Sequence, residues 1–176
     1  MGSNKRGWFI GVLLFATIIL LSCVSCLQRK LVDSAKRINE AKAFYSYFYS
    51  GLGCSDDCIL NNNKKYYLIS TYESIEEIRN DVLYYFSPDV AEHFFRSIDD
   101  GYIIEMNGRL FIDRDKYDVG GGYYYDTDDF SIISIRFKEA TVDYSAHSVV
   151  DPTFVTNVSI IYIYSNHRWV IGQYDF

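Results

Sequence analysis

Apolar residues come first as one long run, from Trp8 to Leu21 behind Lys5 and Arg6, and only later as periodic patterns. A basic start followed by an apolar core is the order of a secretory signal. From Leu31 to Phe48 the positions Leu31, Ala35, Ile38, Ala41, Tyr45 and Phe48 recur every three or four residues, so a helix with one apolar face is predicted. Gly51 and Gly53 end it. Asn61-Asn62-Asn63-Lys64-Lys65 reads as an exposed loop, and Tyr66 to Thr71 as a short strand. Ser74-Ile75-Glu76-Glu77 is a capping box, with Ile75, Ile78, Val82 and Tyr85 on one helical face. Ser87-Pro88-Asp89 opens a second helix, where proline lacks only an N–H that would have no partner anyway, and the chain turns between the two near Phe86.

After Gly101 the period changes to that of strands. Tyr102 to Met106, Asn107-Gly108 and Arg109 to Ile112 form a hairpin signal, because Asn-Gly accepts the positive φ angles of a tight turn. Further strands are predicted at Phe130 to Phe137, Glu139 to Ser145, Phe154 to Tyr164 and His167 to Tyr174, with Ser165-Asn166 as the last turn. Helices first and strands last imply an α+β domain, with the N-terminal helices packed on a curved antiparallel β-sheet formed by the C-terminal half. The expected organisation is a signal segment over 1–22, a tether over 23–30 and one domain over 31–176.

Leu20-Leu21-Ser22-Cys23 resembles the lipobox of bacterial lipoproteins, in which Cys23 would take the lipid and become the first residue. Trp8 to Leu27 is also 20 residues, enough at 1.5 Å each to span a hydrocarbon core of about 30 Å, so an uncleaved anchor competes with that reading. A simple cleaved signal is the third possibility. All three place the domain outside the cytoplasmic membrane, and the lipid would hold it on the extracytoplasmic face. Cys54 and Cys58, separated by three residues, are expected to form a small-loop disulfide in that oxidising setting. His93, His147 and His167 stand singly, without metal-ligand spacing, and neither a metal nor a cofactor is expected.

Charge changes the picture at one place. The 176 residues carry −6, which argues against nucleic acid as a partner, and export without Lys5 and Arg6 leaves −8. Between Asp99 and Asp129, nine carboxylates face only Arg109, Arg114 and Lys116, around Val119-Gly120-Gly121-Gly122 and Tyr123-Tyr124-Tyr125. An EF-hand starting at Asp113 fails, because Asp118 occupies the glycine position and Tyr124 the bidentate glutamate position. A solvated loop, an irregular calcium site and a docking surface for a basic cleft all remain open. Tyr45-Ser46-Tyr47-Phe48-Tyr49 could stack on sugars but at helical spacing reads as half-buried packing, and His93 is expected on the exposed side of its helix with no carboxylate paired to it. No catalytic set is expected.

The ordered set Tyr67-Leu68, Ser74 to Glu77, Leu83-Tyr84-Tyr85-Phe86, Pro88-Asp89-Val90-Ala91-Glu92, Ile104-Glu105-Met106-Asn107-Gly108-Arg109-Leu110-Phe111 and the terminal Trp169 strand resembles the IseA family of bacterial DL-endopeptidase inhibitors. The resemblance covers about 110 residues, Tyr66 to Phe176. It implies a monomeric inhibitor that binds NlpC-type cysteine hydrolases of the cell wall, enzymes with a basic cleft for acidic stem peptides. The Cys54/Cys58 pair and the lipobox depart from the family pattern. Asp113, Asp115, Asp118, Tyr123, Tyr124, Tyr125, Asp126, Asp128 and Asp129 are the expected contact residues. The competing function is a lipid-anchored, NTF2-like ligand-binding module with an apolar pocket.

Overall fold

The computed structural model describes residues 3–113 and 123–174. Among the described residues, four α-helices, α1 (Ser3–Ala35), α2 (Ile38–Tyr49), α3 (Ile75–Tyr85) and α4 (Pro88–Ser97), accompany eight strands. β1 (Cys58–Asn61), β2 (Lys64–Ile69), β3 (Ile103–Met106) and β4 (Arg109–Ile112) form one antiparallel sheet in the order β1-β2-β4-β3. β5 (Tyr123–Arg136), β6 (Glu139–Ser148), β7 (Val155–Ser165) and β8 (Arg168–Gln173) form a second, simple antiparallel meander. The α+β class, with N-terminal helices and a C-terminal antiparallel sheet, is as the sequence predicts. The strands divide between two sheets because the first pairs β4 back onto β2, which precedes α3 and α4 in the chain.

Local chemistry places the helix starts. Ser74 Oγ accepts from Glu77 N at 3.2 Å while the Glu77 carboxylate accepts from Glu73 N at 2.8 Å. Ser87 Oγ accepts from Val90 N, with Pro88 at the first turn. Asn107 and Gly108 adopt φ 54° and 69° at the β3–β4 turn. Three readings shift. The helix expected over Leu31 to Phe48 is interrupted at Lys36 and Arg37, where the Ala35 carbonyl accepts the Tyr144 hydroxyl instead of a bond from the next turn. The loop expected at Asn61 to Lys65 is a hairpin, turning on Asn62 (φ 49°) and Asn63 (φ 64°), since asparagine tolerates the left-handed region. The last turn lies on Asn166 and His167, one residue later than expected.

Residues 23–30 are helical and no slack tether. Trp169 Nε1 donates to the Leu27 carbonyl, Lys30 Nζ to the His167 carbonyl and Ser34 Oγ to the Trp169 carbonyl, each at 3.0 Å. Buried Trp169, its ring 5.2 Å from that of Tyr164, thus clamps the end of α1 to β8.

One core joins the layers. On β6, Ala140, Val142, Tyr144 and Ala146 alternate inward, the period of two expected of a strand with one buried face. Tyr144 donates to Ala35 O at 3.0 Å and shares a 2.7 Å bond with the Tyr162 hydroxyl, so the buried phenols have partners. On the helical side Phe48, Phe86 and Phe94 are fully buried. The backbone N–H of Ser87 donates to the Ile171 carbonyl at 2.8 Å, which pins the α3–α4 corner to β8.

Candidate functional site

Among the described residues, an open cleft beside β8 and the outer edge of β5 both collect chemistry. The cleft, about 560 Å³, is lined by Tyr45 and Tyr49 of α2, Asp89, Val90 and His93 of α4, and Gly172, Gln173 and Tyr174 at the end of the chain. The helical period creates it. Tyr45 and Tyr49 lie one turn apart with ring centroids at 4.8 Å, and Asp89 and His93 repeat the same spacing on α4. Tyr45 meets Tyr174 edge-on at 5.5 Å, and Phe94 supports both Tyr45 (5.8 Å) and Tyr49 (5.7 Å) from behind. Burial raises the Tyr49 and Tyr174 phenols above their ordinary pKa, with neighbouring tyrosines adding to the effect. Both are therefore neutral donor and acceptor groups at physiological pH. Such a wall offers flat apolar faces with hydroxyl, carboxylate, imidazole and amide groups at its rim, the make-up of a ligand site.

Gly172 is required here by space. A Cβ at this position would sit 2.3 Å from Ile163 Cγ1 and 3.4 Å from the Ile161 carbonyl. Gly172→Ala is expected to cost roughly 1–3 kcal/mol through displacement of Ile163 and to shift β8 against the cleft. Thermal unfolding compared with the parent checks it.

Tyr45 and Tyr49, expected as packing, are half-buried and do pack on the core, yet they also present to the cleft. His93 is exposed as expected, but Asp89, unassigned from the sequence, lines the same cleft one turn away. The i, i+4 spacing was the available signal. Under the second sheet, where the NTF2-like reading expects an apolar pocket, Tyr125, Tyr144 and Tyr162 are buried.

The acidic segment resolves unevenly. Asp115 and Asp118 lie outside the described residues. Asp113, expected as a contact, is only 1% exposed and faces Lys64 Nζ at 3.5 Å. Tyr125, also expected as a contact, is fully buried, because strand alternation turns it inward beside Tyr144 while its exposed neighbour Tyr124 (59%) turns outward. Asn39 pairs with the Tyr125 backbone through both of its amide groups, and Lys42 Nζ donates to the Tyr123 carbonyl. Tyr123 is half-buried against the core. The Asp126 carboxylate accepts from Asp128 N at 2.9 Å and Asp129 N at 3.2 Å, closing the irregular turn where β5 slips against β6. Asp128 and Asp129 are exposed. Among the described residues of this set, the exposed ones are Tyr124, Asp128 and Asp129. Asp113→Asn is expected to lower stability by roughly 1–3 kcal/mol, as loss of a buried charged hydrogen-bonding group does, and to leave surface binding intact; urea unfolding and binding assays separate the two.

The expected Cys54–Cys58 disulfide is not formed. Cys54 packs half-buried against the core, Cys58 is exposed at the start of β1, and both are free thiols. The residues between them are held by Leu68, whose carbonyl accepts from Ser55 N and whose N–H donates to the Asp57 carbonyl. Cys23 is exposed on α1, within a helical stretch apolar enough to cross a membrane, Val12–Ala35, at mean hydropathy 2.0. That helix is compatible with a signal sequence or a membrane anchor. No family model and no curated protein matches this chain.

Proposed function

We propose that this chain is a membrane-held, non-catalytic binding protein of the extracytoplasmic face, lipid-anchored through Cys23, that docks on peptidoglycan DL-endopeptidases and blocks their cleavage of stem peptides. One observation supports this reading best. Edge strand β5 carries exposed Asp128 and Asp129 at the irregularity in its middle and outward-facing Tyr124 near its start, and no described cation pairs with either carboxylate. Carboxylates steer a basic cleft into register, and an exposed tyrosine supplies the anchoring contact area. The irregular turn at Asp126 keeps this edge from pairing with a strand of another chain, so side chains present the surface.

The test mixes the full-length protein with an NlpC-type DL-endopeptidase and follows peptide release from peptidoglycan. Inhibition at stoichiometric ratio is expected, and undiminished cleavage at several-fold molar excess would sink the reading. Asp128→Asn with Asp129→Asn is expected to slow association by about tenfold at low salt and to flatten its salt dependence.

The tyrosine cleft favours a second reading, a small-ligand module for ring-bearing, hydroxylated molecules. Saturable shifts of the Tyr45, Tyr49 and Tyr174 ring resonances on titration with soluble cell-wall glycan fragments are its signature. Unmoved resonances dispose of it.

A further inference from the structure

We propose that one end of the second sheet, the end carrying the β5–β6 and β7–β8 turns, lies on the bilayer, with Phe137 inserted among the lipids and Arg29, Lys30, Arg136 and Lys138 on anionic headgroups. The proposal rests on the reading of α1 as a membrane anchor and adds to it a second, orienting contact.

The trajectory of α1 selects this end. Ser34 is level with Trp169, Lys30 reaches the carbonyl of His167 at the β7–β8 turn, and only the Trp169 side chain still reaches back to Leu27. As residue numbers fall, the helix therefore leaves the domain past that turn. The β5–β6 turn lies at the same end, since Tyr164 N donates to the Lys138 carbonyl at 2.7 Å, next to the Ser165–Arg168 pair. From Leu27 back to Cys23 is four residues, roughly 6 Å of helix. A lipid on Cys23 and an uncleaved spanning helix thus bring the bilayer to the same face.

That face has the make-up of an interfacial contact. Phe137 is 92% exposed, and it occupies a tight turn at φ 36°, in the left-handed region that favours glycine. An aromatic ring held in solvent at a strained position has no account in the packing of the domain. Ile135, 42% exposed, continues the apolar surface behind it. Although the chain as a whole is acidic, this end carries Arg29, Lys30, Arg136 and Lys138, with Lys138 Nζ 5.8 Å from the Phe137 ring. Glu139 pairs across the turn from Arg136, and Asp33 sits almost one helical turn deeper. Exposed His167 and half-buried Arg168 also lie at this end, but Arg168 is turned inward, onto the Leu83 carbonyl and the Tyr84 ring. An apolar wedge ringed by cations fits an anionic lipid surface.

The experiment reconstitutes the full chain in phosphatidylcholine–phosphatidylglycerol vesicles, with and without brominated acyl chains. In a Trp8→Phe background, with the emission of the native Trp169 in that background subtracted, Phe137→Trp is compared with Phe154→Trp, which sits in the loop after β6, at the opposite end of that strand and roughly 30 Å away. Expected are flotation of both variants with the vesicles, blue-shifted emission at position 137 that is lost in brominated lipid, and retained emission at position 154. Adding Lys138→Gln to Phe137→Trp should reduce the ratio of docked to free domain roughly fivefold, read as weaker quenching. Flotation with unquenched emission at position 137 overturns the docking while leaving the anchor. Quenching that is insensitive to Lys138→Gln and to removal of phosphatidylglycerol overturns the headgroup contact. Failure to float removes the anchor itself, and the docking with it.

Discussion

Phe94→Ala is expected to destabilise the protein by about 3–5 kcal/mol, the range for truncating a fully buried phenylalanine. Phe94 is 0% exposed and is the hub of an aromatic cluster: Phe48 and Phe86 at 5.0 Å, Tyr49 at 5.7 Å, Tyr45 at 5.8 Å and Phe44 at 6.5 Å. Each favourable ring pair adds roughly 0.5–1.5 kcal/mol beyond area burial, so the loss belongs at the upper end of the range. Against a total of about 5–15 kcal/mol for a domain, that is a large fraction. Phe94→Leu, which keeps much of the volume, should recover more than half of it. Urea unfolding of the three proteins measures both numbers. The same change takes the support from behind Tyr45 and Tyr49, so any ligand response of the cleft should disappear in Phe94→Ala under conditions where the protein is still folded. A stability loss below about 1 kcal/mol would show that the cluster is not the core of the helical layer.

The second large effect is alkaline unfolding. Burial pushes the Tyr144 phenol far above its ordinary pKa, reinforced by the neighbouring Tyr162, and burial raises Tyr162 likewise. In the unfolded chain both ionise near pH 10. Above that pH the folded state holds protons that the unfolded state has released, so stability falls as pH rises; below it the contribution is complete. Each withheld phenol costs about 1.4 kcal/mol per pH unit, hence close to 3 kcal/mol per unit for the pair. Over the first two pH units above 10 the pair thus removes about 6 kcal/mol, comparable with the whole stability of a domain of about 5–15 kcal/mol. Tyr72, which donates to Asp81 at 2.8 Å, and Tyr174 are also raised, mainly by burial, and steepen the fall. Urea midpoints between pH 8 and pH 12 should be flat to about pH 9.5 and then drop. Tyr162→Phe should shallow that slope, because one buried phenol no longer resists ionisation. A midpoint unchanged at pH 12 would mean that these hydroxyls reach solvent.

Much of the architecture was legible because it depends on neighbours in the chain. Ser74 with Glu77, Ser87 with Pro88, and Asn107 with Gly108 act within four residues, and each took its expected conformation. Asn62-Asn63 belonged to the same class, and its hairpin was missed because a run of asparagine and lysine also reads as plain exposed loop. The candidate site was less legible. Asp113 and Asp128 are both acidic residues in one charged segment, yet one is buried against Lys64 and the other faces water.

What the sequence determined by itself is periodicity and its punctuation: an apolar N-terminal helix, amphipathic helices before strands, their caps and most of their turns. These follow from backbone sterics and from side chains a few residues apart. Only the tertiary structure decided that α1 breaks at Lys36 and clamps onto Trp169, and that Tyr125 points inward while Tyr124 points out. It also decided that Tyr45, His93 and Tyr174, far apart in the chain, line one cleft, and that Phe137 shares an end of the sheet with the departing helix. Those outcomes depend on strand register and on which surfaces become covered. Both are set by contacts between residues tens of positions apart, about which a local pattern carries no information.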